Sequence, residues 1–384
     1  MSKHDFERSE FDQRQTRTRR AMEQAGLDAL LVVSPVNINW LIGCRAKGYQ
    51  EYQVLFFPLA PDPLTLLTRL CEVPMVSDQS LAEDVRGWGG RDPEDPIDAT
   101  AAILREKGWL GRRIGLEVPP FVLNAYHYLA LRDLLGDALV AEPNDLIENL
   151  KLAKSPAELA YMRRAAEMAD AGMRSAQEML AADKTQCEVA AEMHRTVMSL
   201  GSEIPASPMN FLSGDESCYA HDMPSERVLE AGDFIHIQFG TAYRRYHTTI
   251  GRQFAIGDPG GRAREIYDIV REACDAAIAE LGAGVAASVA HRAAKRVISG
   301  AGLEHGRLHS SGYGIAPGFP PYWGDAVNLT DDDTHMLEAG MVVAVEPPLF
   351  IHEERLGARL VDNMLITDSG AEFMSRFTRD LVVV

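Results

Sequence analysis

The sequence predicts a smaller α/β domain over residues 1–150, followed by a larger α+β domain over residues 151–384. Three observations carry that expectation. At 384 residues the chain exceeds what one core ordinarily serves and suits two. Its first 150 residues alternate short apolar runs with amphipathic stretches, whereas strands further on are not each followed by a helix. Between the two stands Lys154-Ser-Pro-Ala-Glu158, where Ser155 suits an N-cap, Pro156 the first helical position and Glu158 the carboxylate of a capping box.

In the first domain Arg14–Ala25 reads as a helix closed by Gly26, and Asp28–Val33 as a buried strand stopped by Ser34-Pro35. Tyr52–Phe57, Leu64–Thr68 and Arg113–Val118 are further strands, broken by Pro and Gly clusters. In the second domain Leu159, Met162, Ala165, Ala166, Met168, Ala169 and Met173 hold one apolar face of a long helix running to about Leu180. Another helix is expected near Val189–Leu200, with strands at Phe234–Gly240 and His247–Ala255. Helices at Arg262–Glu280 and Ala287–Gly300 follow, then strands at Met341–Glu346 and Arg359–Thr367.

Composition narrows the function classes. The hydrophobic share of 46% is ample for packed cores, and no apolar run approaches the length of a membrane span. The polar, charged amino terminus does not read as a signal peptide, so a cytoplasmic location is expected. Five cysteines without a C-x-x-C pair suit reduced thiols. With 56 acidic against 38 basic residues, a net charge of −18 disfavours nucleic acid as a partner.

Several segments of the second domain, in one consistent order, resemble the pita-bread enzymes: methionine aminopeptidase, aminopeptidase P, prolidase and creatinase. They are Lys154–Ala166, Glu230-Ala-Gly-Asp-Phe-Ile-His-Ile-Gln-Phe-Gly240, Tyr246–Phe254, Gly312-Tyr-Gly-Ile315, Leu337–Pro347 and Arg359-Leu-Val-Asp362. The resemblance implies a C-terminal pita-bread catalytic domain preceded by a smaller creatinase-type domain, and a homodimer. The dinuclear metal site of that family takes two Asp, one His and two Glu. Mapped motif by motif, those positions hold Gln238, Thr249, Tyr313, Glu346 and Val361, so one carboxylate survives. A divalent ion needs several charged or imidazole ligands, and no metal or other cofactor is therefore expected.

Two features turn the resemblance towards creatinase and ectoine hydrolase, metal-free creatinase in particular. Gly318-Phe-Pro-Pro-Tyr-Trp-Gly324 resembles a stretch of ectoine hydrolases, and His221 matches the acid–base histidine of creatinase. Without metal a side chain must activate water, and histidine titrates near neutrality. His221 and Glu346 are thus the expected catalytic pair, with Glu346 meeting a cationic amidine or guanidinium through both carboxylate oxygens. Tyr313, Trp323 and Phe319 are expected to line the substrate pocket. In creatinase a loop of the leading domain holds the substrate carboxylate across the dimer interface. Tyr49 falls on its aromatic position and Glu51 on its arginine, so either Arg45 or Lys47 supplies the charge or the substrate is not creatine. His247 and His309 are weaker candidates.

The expected function is a metal-independent hydrolase of a small amidine, guanidine or related non-peptide C–N compound. The alternatives are a peptidase of the Xaa-Pro aminopeptidase or dipeptidase type, and a non-catalytic binding protein that keeps the cleft. A small-molecule substrate is expected in either catalytic case, and no membrane partner.

Overall fold

The computed structural model describes residues 2–90 and 94–384. The chain folds as two compact units, Met1–Lys151 and Leu152–Val384.

In the first unit six strands form one mixed sheet: β1 (Ala29–Val32), β2 (Val54–Pro58), β3 (Thr65–Arg69), β4 (Asp84–Trp88), β5 (Ile114–Leu116) and β6 (Leu139–Ala141), in the order β4-β3-β2-β1-β5-β6. Alternation along β1 sends Leu30 and Val32 to one core with Leu55, Phe57 and Leu66, and Ala29 and Leu31 to another with Val54, Phe56 and Leu67. Helices α1 (Arg8–Gln24) and α2 (Pro35–Ile42) contribute Met22 and Ile38 to the first core. Helices α4 (Pro96–Glu106) and α5 (Ala125–Leu135) contribute Leu104 and Leu131 to the second. Pro35, read as a strand stop, also opens α2, where Ser34 caps by accepting from the Asn37 N–H. Strands β4 and β6 had no strand-like signal. Both are short sheet edges with half-buried residues.

The second unit opens with α7 (Pro156–Met179), entered through a complete capping box: Ser155 Oγ accepts from Glu158 N–H, and Glu158 Oε2 accepts from Ser155 N–H. Nine strands make its main sheet, with the path β16 (Gly370–Phe373)-β15-β12-β10-β9-β8-β7, β11 beside β10 and β17 (Val382–Val383) beside β9. The strands that position the site are β7 (Asn210–Ser213), β8 (Phe234–Tyr243), β9 (Tyr246–Ala255), β10 (Gly312–Phe319), β11 (Tyr322–Asn328), β12 (Val342–Val345) and β15 (Asp362–Thr367).

Strands β8 and β9 are buried except at Tyr243, so their two faces differ in what they meet. Ile235, Ile237 and Phe239 pack against Ala169, Met173 and Ala176 of α7 and against α8 (Gln186–Ser199). Val343 and Val345 pack towards α9 (Gly261–Ala279) and α10 (Ala287–Gly300). The intervening residues of β8, His236, Gln238 and Gly240, face the other way. Their cross-strand partners are Gln253, Gly251 and Thr249. That polar face carries the site.

Gly318–Gly324, the segment that resembles ectoine hydrolases, forms the tip of the β10–β11 hairpin. Among the described residues no helix is long and apolar enough to cross a membrane.

Candidate active site

Glu346 follows β12 directly, and the pairing of that strand with β10 and β15 carries its side chain into the polar face of the sheet. It is 2% exposed. Gln238 Nε2 donates to Glu346 Oε2 at 2.9 Å, and His309 Nδ1 lies 3.5 Å from Oε1. Burial pushes the Glu346 carboxyl up from its ordinary range, against the opposing pull of Arg359, His309 and the Gln238 hydrogen bond.

Gln238 is the hinge of the cluster. Its Oε1 accepts from Arg359 Nη1 at 2.6 Å and from Asn210 Nδ2 at 3.3 Å, while its amide nitrogen serves Glu346. A neutral amide thus stands between a buried carboxylate and a buried guanidinium. The Arg359 charge is disfavoured by burial and supported by Glu346 and Tyr313.

His221 lies on an exposed stretch after the short 3-10 turn Gly214–Cys218. Its ring meets that of His309 edge-on, with centroids 5.9 Å apart. Burial, then Arg359 and His309, lowers its pKa and favours the neutral ring. His221 and Glu346 therefore share the site through His309, which the sequence reading ranked low. Tyr313 on β10 accepts from Trp323 Nε1 at 3.4 Å, and burial beside Glu346 pushes its phenol far up. The other expected residues are placed differently. Phe319 lies under the Arg245 guanidinium, 4.9 Å from ring centroid to Cζ. His247 is a satisfied core histidine, accepting from Ala206 N–H and donating to Arg245 O. Arg45 and Tyr49 belong to the first unit, where Arg45 pairs with Asp5 at 2.8 Å.

The donor set does not fit a divalent cation. Thr249 and Gln238 offer neutral oxygens, Tyr313 a protonated phenol and Val361 only carbon. Among the described residues no three His, Cys, Asp or Glu side chains gather as a metal cage. Hydrocarbon fills the surroundings. A Cβ on Gly251 would lie 2.4 Å from Val361 Cγ2, and one on Gly240 would lie 2.6 Å from the Trp323 ring. Asp362, next to Val361, is committed to Arg252 and Arg379 at 2.9 and 2.7 Å.

Fold and site together define a pita-bread hydrolase scaffold whose centre is a His–Glu–Gln–Arg chain. The match to metallopeptidase family M24 over residues 160–368, behind a creatinase/prolidase N-terminal domain over residues 14–150, is the specific result: the chain belongs to this family. It is 26% identical over 364 residues to the Xaa-Pro dipeptidase of Pyrococcus furiosus, covering 94% of this chain and 97% of that protein. It is 28% identical over 369 residues to the probable dipeptidase PepE of Mycobacterium tuberculosis, covering 95% and 94%. Among solved structures, the Xaa-Pro dipeptidase from Bacillus anthracis superposes with a TM-score of 0.83 at 25% identity, covering 97% and 100% of the two chains. Dipeptidase PepE from Mycobacterium ulcerans gives 0.85 at 26%, covering 99% of each.

These relatives correct the expectation of a metal-independent hydrolase of a small amidine or guanidine. Likeness along the whole chain runs to proteins named as dipeptidases, and not specifically to creatinase or ectoine hydrolase. Loss of ligands bears on how water is activated, not on what the cleft binds. The geometry argues the same way. Glu346 Oε2 already accepts from Gln238 and the His309 ring stands 3.5 Å from Oε1, so a bidentate amidinium would have to displace both.

Proposed function

We propose that this chain hydrolyses short peptides of the Xaa-Pro type, using side chains where its relatives' family uses metal. The observation that carries the reading is end-to-end relatedness to an Xaa-Pro dipeptidase, combined with a buried carboxylate beside an imidazole at the centre of the site. His309 Nδ1 faces the Ser310 carbonyl at 3.0 Å, an acceptor only, so Nδ1 carries the ring proton and Nε2 the lone pair. In this reading Nε2 takes a proton from water as the water oxygen bonds to the scissile carbonyl carbon. Glu346, held by Gln238, stabilises the imidazolium that results. Tyr313, kept protonated by burial, donates to the developing oxyanion while Trp323 holds its oxygen. The C–N bond then breaks and the proton passes from His309 to the departing nitrogen. His221, edge-on to His309 and favoured as a neutral ring, positions that imidazole.

A second reading is favoured by one specific observation. Val361 and Trp323 pack carbon against Gly251 and Gly240, as in a cleft kept for binding alone. One experiment separates the two. Full-length protein is treated with chelator and given Gly-Pro and Ala-Pro, with binding followed by calorimetry and hydrolysis by proline release. The expected outcome is hydrolysis that survives the chelator and falls roughly 10²–10⁴-fold in His309→Ala, the range for loss of a general base. Binding without hydrolysis supports the non-catalytic reading. Neither binding nor hydrolysis overturns both.

A further inference from the structure

Arg359 is 0% exposed, and its hydrogen bonding is incomplete. Nη1 is taken by Gln238 Oε1, a neutral oxygen. Nε and Nη2 find no acceptor among the described residues. The face of the guanidinium lies over the Phe350 ring at 5.1 Å, but a ring face does not satisfy the two in-plane N–H groups on that edge. A buried guanidinium ordinarily has its charge met directly by a carboxylate or other anion, and here Glu346 is reached only through the Gln238 amide.

Gln253 repeats the pattern. It is 0% exposed, its Oε1 accepts from the Arg359 backbone N–H at 3.1 Å, and that bond orients the amide. Its Nε2 is then a donor, and it too has no acceptor among the described residues. Gln253 sits opposite His236 across β8 and β9, two cross-strand pairs from Gln238 and so on the same sheet face, along which the Arg359 side chain runs. His236 forms the wall beside them. Its Nε2 is committed to the Ser217 carbonyl, and its ring packs on the same Phe350 at 5.8 Å. Three buried N–H-bearing nitrogens on two adjoining side chains, one of them cationic, therefore share a need for an acceptor, and no carboxylate of the described residues bonds to any of them.

We propose that the Nε/Nη2 edge of Arg359 and the Gln253 amide form a buried seat for one small anion, either a halide-sized ion or the carboxylate of a ligand. The chemistry is that of a charge-assisted fork, with two guanidinium N–H groups and one amide N–H converging on a single negative centre. The seat is separate from the Glu346–His309 pair, so occupancy does not depend on peptide hydrolysis.

The test uses the full chain. Crystals soaked in sodium bromide are measured at the bromine edge, and bromide affinity is followed in solution for wild type and Gln253→Glu. The substitution keeps the acceptor for the Arg359 N–H and places a carboxylate where the anion would sit. An anomalous peak against Arg359 Nε, Arg359 Nη2 and Gln253 Nε2 is expected in wild type, with affinity weakened tenfold or more in the variant, roughly the loss of one charge-assisted bond. Acetate then distinguishes the two sources. If it displaces the bromide, the seat takes carboxylates; if it does not, the seat is an enclosed ion site. Bromide peaks elsewhere with none at Arg359, or equal affinity in Gln253→Glu, would overturn the proposal.

Discussion

At the scale of single residues, the site turns on Gln238. Its amide satisfies a carboxylate on one side and a guanidinium on the other, an arrangement no other neutral side chain of that length provides. Gln238→Leu keeps the volume but leaves Glu346 Oε2 and Arg359 Nη1 buried and unmatched. It should destabilise the chain by about 2–4 kcal/mol, read as a lowered denaturant midpoint. It should also push the Glu346 carboxyl further up, because a bond to the charged form is lost. An unchanged midpoint would show that the amide is not holding the chain together. His221 and Glu346 stood out in the sequence because each sits in a recognisable motif. His309, Gln238 and Arg359 were legible only as residues. Their roles arise from contacts between β8, β12 and the segments flanking β10 and β15, separations of more than a hundred positions in two cases. The Gln238 bond to Glu346 Oε2 and the approach of His309 to Oε1, which count against a bidentate amidine, are facts of that packing.

At the scale of elements, local signals were read where the chemistry is local. The capping box of α7 followed from Ser155, Pro156 and Glu158, and it appears in the structure. Edge strands β4 and β6 went unread because an edge needs little apolar surface. Glu117, just after β5, shows what a strand end can conceal. Its Oε2 accepts from Val33 and Ser34 N–H at 3.0 and 3.1 Å, and its Oε1 from Asn37 Nδ2 at 2.8 Å. Lys151 reaches Asn37 Oδ1 and Glu148. Burial outweighs these bonds and pushes the Glu117 carboxyl up to about 7, with Glu148 adding to the rise and Lys151 opposing it. A folded-state value above the unfolded value of about 4.3 means the folded chain holds that proton more tightly. The stability it contributes is full below about pH 4.3 and is lost as pH rises through about 7. Stability of wild type against chemical denaturation should therefore fall between pH 5 and 8, by on the order of 2–3 kcal/mol. Gln at position 117 cannot titrate, so Glu117→Gln should flatten that slope. Parallel slopes in the two proteins would contradict the burial argument.

At the scale of the whole molecule, an M24 architecture has been kept while four of the five positions that match its metal ligands carry Gln238, Thr249, Tyr313 and Val361. The two-unit plan and the family were both legible, because cores, caps and motif order are spread over many positions. Substrate class was not, because four altered ligand positions, Gly318–Gly324 and His221 pointed towards creatinase while relatedness along the chain lies with dipeptidases. Calorimetric titration of chelator-treated, full-length protein with Mn²⁺ and Co²⁺ tests the replacement most directly. With Gln238, Thr249, Tyr313 and Val361 around one engaged carboxylate, the expected result is no stoichiometric heat of binding. Uptake of one or two ions per chain, abolished by Glu346→Ala, would contradict it.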